Sequence, residues 1–339
     1  MTFQTYLIRR LVLLVPLLLG TALLTFVVSH AVPADPLAAN VGPEGMMNPE
    51  VVEAFYRKWG LDKPLPVQFF LYVKNLLQGD LGVSIFYHRP IAQDLGRYLP
   101  ATIELSTVAT IFAVCLSIPL GVVSAVKPNS VVDHICRVFS LIGVSTPIFW
   151  MAIMAMSVLY FRLGWAPAPA RLSHGLESPT NITGLLVVDS ILTGNGKTLI
   201  DALKHLMLPA FVLAFESLGL VTRVTRSSML EVLRQDYIRT ARAKGLTESA
   251  VTFKHALRNA LIPAVTVIGL SYGSMLSGAV VTETIFNWPG IGRYAFQTAA
   301  KLDFPAIMGV TIVIALIYIL VNTAVDLAYA FLDPRIRRG

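Results

Sequence analysis

The sequence predicts an all-α, polytopic membrane protein with about six transmembrane helices. Two bulk properties point there. Of the 339 residues, 55% are hydrophobic and only 14% charged, whereas soluble domains carry roughly 25% charge; the mean hydropathy is +0.67. The third observation is spacing: six apolar runs are separated by polar connections, most of them near the ~20 residues that span a bilayer as helix. Helices follow because lipid offers backbone N–H and C=O groups no partner, so each segment must satisfy its own.

The first run, Leu11–Val32, follows Arg9 and Arg10. It is too long for a signal-peptide core and lacks a clear small-residue cleavage site, so residues 1–32 are read as a tail and an uncleaved span. Residues 33–100 form an outer region, in which Glu50–Trp59 and Val67–Leu77 read as short amphipathic helices around an LDKPLP break. Residues 101–339 hold the other spans: Ala101–Val126, Ile135–Phe161, Leu206–Val221, Leu261–Ile285 and Ala306–Phe331. The fourth is the shortest and is interrupted by Glu216. The Pro/Gly/Ser/Asn-rich loop Gly164–Asp201 is expected to be irregular.

Lys and Arg flank the spans unevenly. Arg9, Arg10, Lys127, Arg137, Arg223, the basic stretch after it and Arg335, Arg337 and Arg338 fall on one side. Arg162, Arg171, Lys197, Lys204, Arg293 and Lys301 fall on the other. The richer side is cytoplasmic, which places both termini and loop 224–261 inside. The net charge of +7 is thereby assigned to topology and to anionic headgroups of membrane lipids. No basic run interleaved with aromatics suggests nucleic acid.

Ser227–Pro263 is the longest basic, polar stretch of the C-terminal half. Met229, Leu230, Leu233, Tyr237 and Ala241 form a helical stripe. Gly245 suits the position just past a helix end, with Lys244 at the negative pole of the dipole. Thr247 reads as an N-cap and Glu248 as a first-turn acid. Phe253, Leu257 and Leu261 form the next stripe; Lys254 and Arg258 share another face. By pattern alone, such a helix–Gly–helix device lies on lipid or presses into a soluble protein.

Glu104, Glu216, Glu283 and Asp326 fall within or at the ends of spans, where a carboxylate is costly. Glu104 and Glu283 are close enough to span ends to reach the interface. Asp326 precedes Asp333 and the basic tail and reads as part of a structural pair. Glu216 is the candidate for an aqueous path. Gly273, Ser274, Ser277 and Gly278 form small-xxx-small pairs that allow helices to approach closely, at a partner subunit or a neighbouring helix along that path. Pro16, Pro119, Pro147, Pro209 and Pro263 favour bent helices.

Gly194–Thr198 ends like a phosphate-binding loop, but Ile191 stands where the pattern needs Gly. The histidines lack metal-ligand spacing, Cys115 and Cys136 read as small packing residues, and Asn181–Thr183 is an isolated glycosylation sequon. No catalytic residue, metal or cofactor is expected.

DYIRTARAKGL (236–246) followed by KHALRNALIP (254–263) resembles the cytoplasmic loop of permease subunits of binding-protein-dependent ABC importers, in the dipeptide/oligopeptide branch. PADP (Pro33–Pro36, with Ala34 for the usual Gly), GLDKPLPVQF (60–69), GDLGVS (79–84), TPIFW (146–150), VTETIFNWPGIGRY (281–294) and DPRIRRG (333–339) extend the resemblance over essentially the whole chain. The general Glu-Ala-Ala loop pattern is replaced by Arg239-Thr240-Ala241, as in the peptide branch. The resemblance implies a coupling helix at Glu248–Ala260 in a groove of a cytoplasmic ATPase subunit, involving Arg239, Thr240, Ala241, Gly245, Thr247, Glu248, Phe253, His255, Leu257 and Arg258. It further implies a second homologous permease, two ATP-binding subunits, an extracytoplasmic peptide-binding protein, and a multi-pass location in the bacterial cytoplasmic (inner) membrane. Nickel, glutathione or haem-like compounds are the alternative substrates within this fold. A stand-alone secondary transporter using Glu216 and Asp326, or a membrane scaffold, are the other classes.

Overall fold

The computed structural model describes residues 3–31, 46–59 and 62–332. Pro33–Pro36, Gly60, Leu61 and Asp333–Gly339 lie outside the described residues. Among the described residues all regular elements are helices, with one isolated bridge between Val83 and Pro90. They are α1 (Phe3–Ala31), α2 (Pro49–Trp59), α3 (Leu65–Leu77), α4 (Ile91–Val126), α5 (Val131–Ser145), α6 (Ile148–Ala155, continued as a π-helix over Met156–Arg162), α7 (Leu186–Leu192), α8 (Gly196–Val232) and α9 (Asp236–Ala243). A π-helical stretch, Ala250–Ala256, runs into α10 (Leu257–Gly278), followed by α11 (Val280–Ile285), α12 (Ile291–Ala300) and α13 (Phe304–Leu332). Among the described residues five helices are long and apolar enough to cross a membrane, or six if the bent pair α5–α6 counts as one.

The long helices α4 and α8 form the axis of the bundle. Their 36 and 37 residues rise ~1.5 Å each, giving ~54 Å, well beyond the ~30 Å hydrocarbon layer. Ala101, Leu105, Ala109 and Ala113 of α4 meet Leu206, Ala210, Leu213 and Ala214 of α8, and small side chains bring the axes close. Glycines set the other contacts. A Cβ on Gly219 of α8 would lie 2.6 Å from the Ser140 carbonyl oxygen of α5, and one on Gly143 of α5 would lie 2.9 Å from that of Phe215. Gly269 and Gly273 of α10 lie against Val325 and Tyr318 of α13. α1 packs on α13 and points Leu24, Val28 and Leu17 outward.

Three expected spans change shape. Ile135–Phe161 is not one rod: α5 and α6 meet at 105°. Pro147 lacks an N–H and drives the residue before it out of the helical region, and Thr146 is extended at φ −83°, ψ 122°. The fourth span is not the short Leu206–Val221 segment but part of α8, whose polar ends include Asp201, paired with Ser173, and Arg226, paired with Asp133. The fifth stops at Gly278, and Val280–Ile285 is a separate short helix. The loop 164–201 is irregular only in part, since it contains α7 and the first turn of α8.

Candidate functional site

The basic stretch folds as a protruding tip. α8 continues through Met229 to Val232, so the expected helix Met229–Lys244 is interrupted at Leu233–Gln235 before α9 begins. α9 buries Ile238 and Ala241 against Val122 and Ala125 of α4, Met229 of α8, and Val251, Ala256 and Ala260 of the following helix. It closes in a Schellman turn: the Gly245 N–H donates to the Arg242 carbonyl (2.9 Å) and the Leu246 N–H to that of Ala241 (3.4 Å). Gly245 has φ +79°, the left-handed conformation this turn requires, and a Cβ there would meet nothing within 4 Å. The Ala250 N–H donates to the Thr247 hydroxyl at 3.4 Å, so Thr247 caps the next helix. The Arg242 guanidinium grips both Glu248 carboxylate oxygens at 2.8 and 3.2 Å. That hydrogen bond holds the Glu248 carboxyl below its ordinary range.

The tip divides the predicted residues into two groups. Arg239, Thr240, Gly245, Thr247, Glu248, Phe253 and Arg258 are exposed, whereas Ala241 is buried and Leu257 half-buried against the same cluster. His255 is half-buried. The sequence pattern puts Phe253 on an inward stripe with Leu257 and Leu261, but it is 62% exposed. The buried line is Val251/Thr252, Ala256, Ala260 and Ala264. The π-helical turn has i→i+5 bonding, such as the Leu257 N–H to the Thr252 carbonyl, and shifts the register relative to an α-helix. A second difference follows: Glu248–Ala260 is not a separate helix, because its π-helical part passes unbroken into α10. The free-standing short helix is α9. The sequence pattern also left unseen the Asn259 side-chain amide, which donates to the Tyr237 hydroxyl at 2.7 Å and ties α9 to α10.

The path candidates separate as well. Glu216 is exposed on α8, between the buried Phe215 and Ser217. Gly273 is buried against Tyr318 of α13, while Ser274 faces outward from the bundle. The Ser277 hydroxyl donates to the Gly273 carbonyl at 2.8 Å. Gly278 ends α10. Thus Glu216 and Ser274 present polar groups away from this chain, and Gly273 serves packing within it.

The remaining acids lock the opposite end of the bundle. Glu104 receives the Arg171 guanidinium at 2.6 and 3.1 Å and the Val187 N–H at 2.7 Å, which fastens loop 164–185 to α4. Glu283 accepts from the Thr102 hydroxyl (2.5 Å) and the Arg293 N–H (2.9 Å). A Cβ at Gly290 would overlap its carboxylate, and the Trp288 indole N–H donates to the Ala101 carbonyl at 2.8 Å. The Asp303 carboxylate collects the Ser84 hydroxyl and the Ile85, Phe86 and Ala306 N–H groups. The expectation that Glu104 and Glu283 reach the interface is corrected: both are buried and bonded within the protein. Asp326 is half-buried on α13, and its expected partner Asp333 lies outside the described residues.

Residues 117–338 match the family model for the binding-protein-dependent transport system inner membrane component. The chain belongs to that family. Residues 3–106 match the companion model for the N-terminal part of such membrane components. Curated relatives align over nearly their full lengths. The probable D,D-dipeptide transport system permease protein DdpB of Escherichia coli (strain K12) is 45% identical over 100% of this chain and 99% of its own. The dipeptide transport system permease protein DppB of Alkalihalophilus pseudofirmus is 44% identical over 98% and 99%. The oligopeptide transport system permease protein AppB of Bacillus subtilis (strain 168) is 40% identical over 98% of each. In this chain the protruding tip and the paired acids Glu104 and Glu283 stand at opposite ends of the helical bundle.

Proposed function

We propose that this chain is the membrane-spanning permease subunit of an ATP-driven ABC importer that carries di- and oligopeptides across the cytoplasmic membrane by alternating access. The α9 tip carries the reading. It is polar and exposed, and it is braced by buried Ile238 and Ala241 on both long helices, so a force applied there reaches α4 and α8 directly. Peptide cargo is supported by the names of relatives at 40–45% identity. The docking face for a cytoplasmic ATPase comprises Tyr237, Arg239, Thr240, the Gly245–Glu248 turn, Phe253, His255 and Arg258. Ala241 and Leu257 hold it in place. Docking resides chiefly on α9 and its turn, rather than on a separate helix after Gly245, because α9 is the short helix of the tip that is not continuous with a span.

In this reading both termini and the tip are cytoplasmic. Two ATPase subunits close on ATP and draw the tips of this chain and a second homologous permease together, opening the bundle outward. An extracytoplasmic binding protein then delivers peptide to a path between the two permeases, where Glu216, Ser274 and Ser277 line this chain's side. ATP is hydrolysed on the partners, and each conformation is selected by the ligand that binds it better. Purification from membranes tests the assignment. Two ATPase chains and a second permease should accompany this one, and a peptide-loaded binding protein should stimulate ATP hydrolysis. Peptide uptake by this chain reconstituted alone would overturn it.

A further inference from the structure

A cavity of about 320 Å³ opens between α4, α5 and α8, beside the segment that carries the α9 tip. Ser124, Arg137, Ser140, Leu141, Arg223 and Arg226 line it. The counter-charge that its arginines meet is Asp133, which is fully buried and already occupied. The Asp133 carboxylate takes the Ser124 hydroxyl (2.5 Å), the Asn129 N–H (2.9 Å) and a two-point contact from Arg226 (2.7 and 2.9 Å). Arg226 is therefore neutralised in place. Arg137 stands 3.7 Å from Asp133 with its side chain 46% exposed. Arg223 is exposed at the cavity and has no ion pair among the described residues. Positive charge is left over in a concave site.

The outer surface of α5 leading away from this cavity is apolar and open: Ile135 is 62%, Val138 57% and Leu141 64% exposed. A basic recess continuous with an apolar ridge matches one kind of ligand. We propose that this cavity binds the headgroup phosphate of an anionic phospholipid, with Arg137 and Arg223 on the phosphate and an acyl chain along Val138 and Leu141. Guanidinium groups bind phosphate through paired, charge-assisted hydrogen bonds, and basic recesses between transmembrane helices suit anionic headgroups. A free phosphate ion would make no use of the ridge. The bound lipid would brace α5 against α8 next to the Asp133–Arg226 contact, and so steady the base of the tip.

Native mass spectrometry of the detergent-purified full chain provides the test. It would be titrated with phosphatidylglycerol or with phosphatidylcholine of the same acyl chains, with and without excess inorganic phosphate. Phosphatidylglycerol should be retained about tenfold better, the R137Q/R223Q variant should lower it to the phosphatidylcholine level, and inorganic phosphate should fail to displace it. Equal retention of the two lipids by the unmodified chain would overturn the proposal, as would undiminished phosphatidylglycerol retention in R137Q/R223Q. Displacement by inorganic phosphate would reassign the cavity to a free anion. If that variant does not purify, Leu141→Glu, which adds a carboxylate at the exposed mouth, should weaken phosphatidylglycerol selectively; indifference to it would also count against the site.

Discussion

Gly245 isolates the mechanical role proposed for the tip, because its substitution has one physical consequence. Its φ is +79°, and no atom lies within 4 Å of the place a Cβ would take. A side chain there meets no steric obstacle and strains only the backbone. For an ordinary L-residue that strain is about 1–2 kcal/mol in the left-handed region, less for Asn and more for a β-branched residue. The free tip relieves the strain by leaving the Schellman turn, and a partner that needs the turn must restore it. Apparent affinity then falls by the fraction of molecules in the competent state, about 5- to 30-fold for Gly245→Ala. The assay is titration of the purified ATPase subunits onto the chain in lipid nanodiscs. The expected order of affinity is Gly, Asn, Ala, Val. Gly194, with φ +66° and equally open surroundings, provides the control: Gly194→Ala carries the same strain on loop 164–195 and should leave ATPase binding unchanged. Equal affinity for the Gly and Val forms, or an Asn form weaker than the Val form, would refute the reasoning.

Other outcomes follow from the opposite end of the bundle. Gly290→Ala drives a methyl into the Glu283 carboxylate and should cost about 1–3 kcal/mol by overpacking, seen as a lower Tm in detergent. Glu104→Gln leaves the largely buried Arg171 guanidinium without its counter-charge, a loss of about 3–5 kcal/mol. Limited proteolysis should then cut loop 164–185 faster, and the Glu104→Leu/Arg171→Met pair should be protected better than Glu104→Gln alone. Asp189 tests pH. Burial pushes its carboxyl upward, but the Thr183 hydroxyl and the N–H groups of Thr183, Gly184 and Ile182 outweigh burial and hold it below the ordinary range. A depressed folded value means the stabilisation is complete above the unfolded pKa of about 3.9 and disappears as pH falls through the folded value. Amide exchange at residues 182–184, corrected for intrinsic rates, should therefore stay slow down to about pH 4 and accelerate below it, and Asp189→Asn should abolish that dependence.

The features legible in the sequence are those with a local cause. Hydropathy over about 20 residues located the helices that reach across a membrane. The small helices before and after LDKPLP appear within two residues of their expected starts, as Pro49–Trp59 and Leu65–Leu77. Gly245 as a helix terminator and Thr247 as a cap depend on backbone geometry over one turn, and both occur where the residue types require them. The PIFW and NWPGIGRY motifs marked family membership, although the reasons for their residues were not visible: Pro147 makes a 105° corner, and Gly290 makes room for a carboxylate from another helix.

Tertiary structure alone decided what the charged residues do. Glu104 meets Arg171 across 67 positions, Arg226 meets Asp133 across 93, and Ser84 meets Asp303 across 219. No window of sequence contains both partners, so Glu104, for one, reads from the sequence as an acid that reaches the interface. The Arg226–Asp133 contact holds the polar C-terminal part of α8, while the π-helical register at Ala250–Ala256 leaves Phe253 outward. Asp201 and Arg226 near the two ends of α8 find distant partners in Ser173 and Asp133, and the π-helical register at Ala250–Ala256 places Val251, Ala256 and Ala260 against α9. The chain by itself determined a membrane bundle with a glycine-broken tip, because hydrophobic length and backbone conformation are local properties. Which acids brace the bundle and which stay exposed was decided only by packing, since the energy of a buried charge depends on the groups that the fold brings beside it.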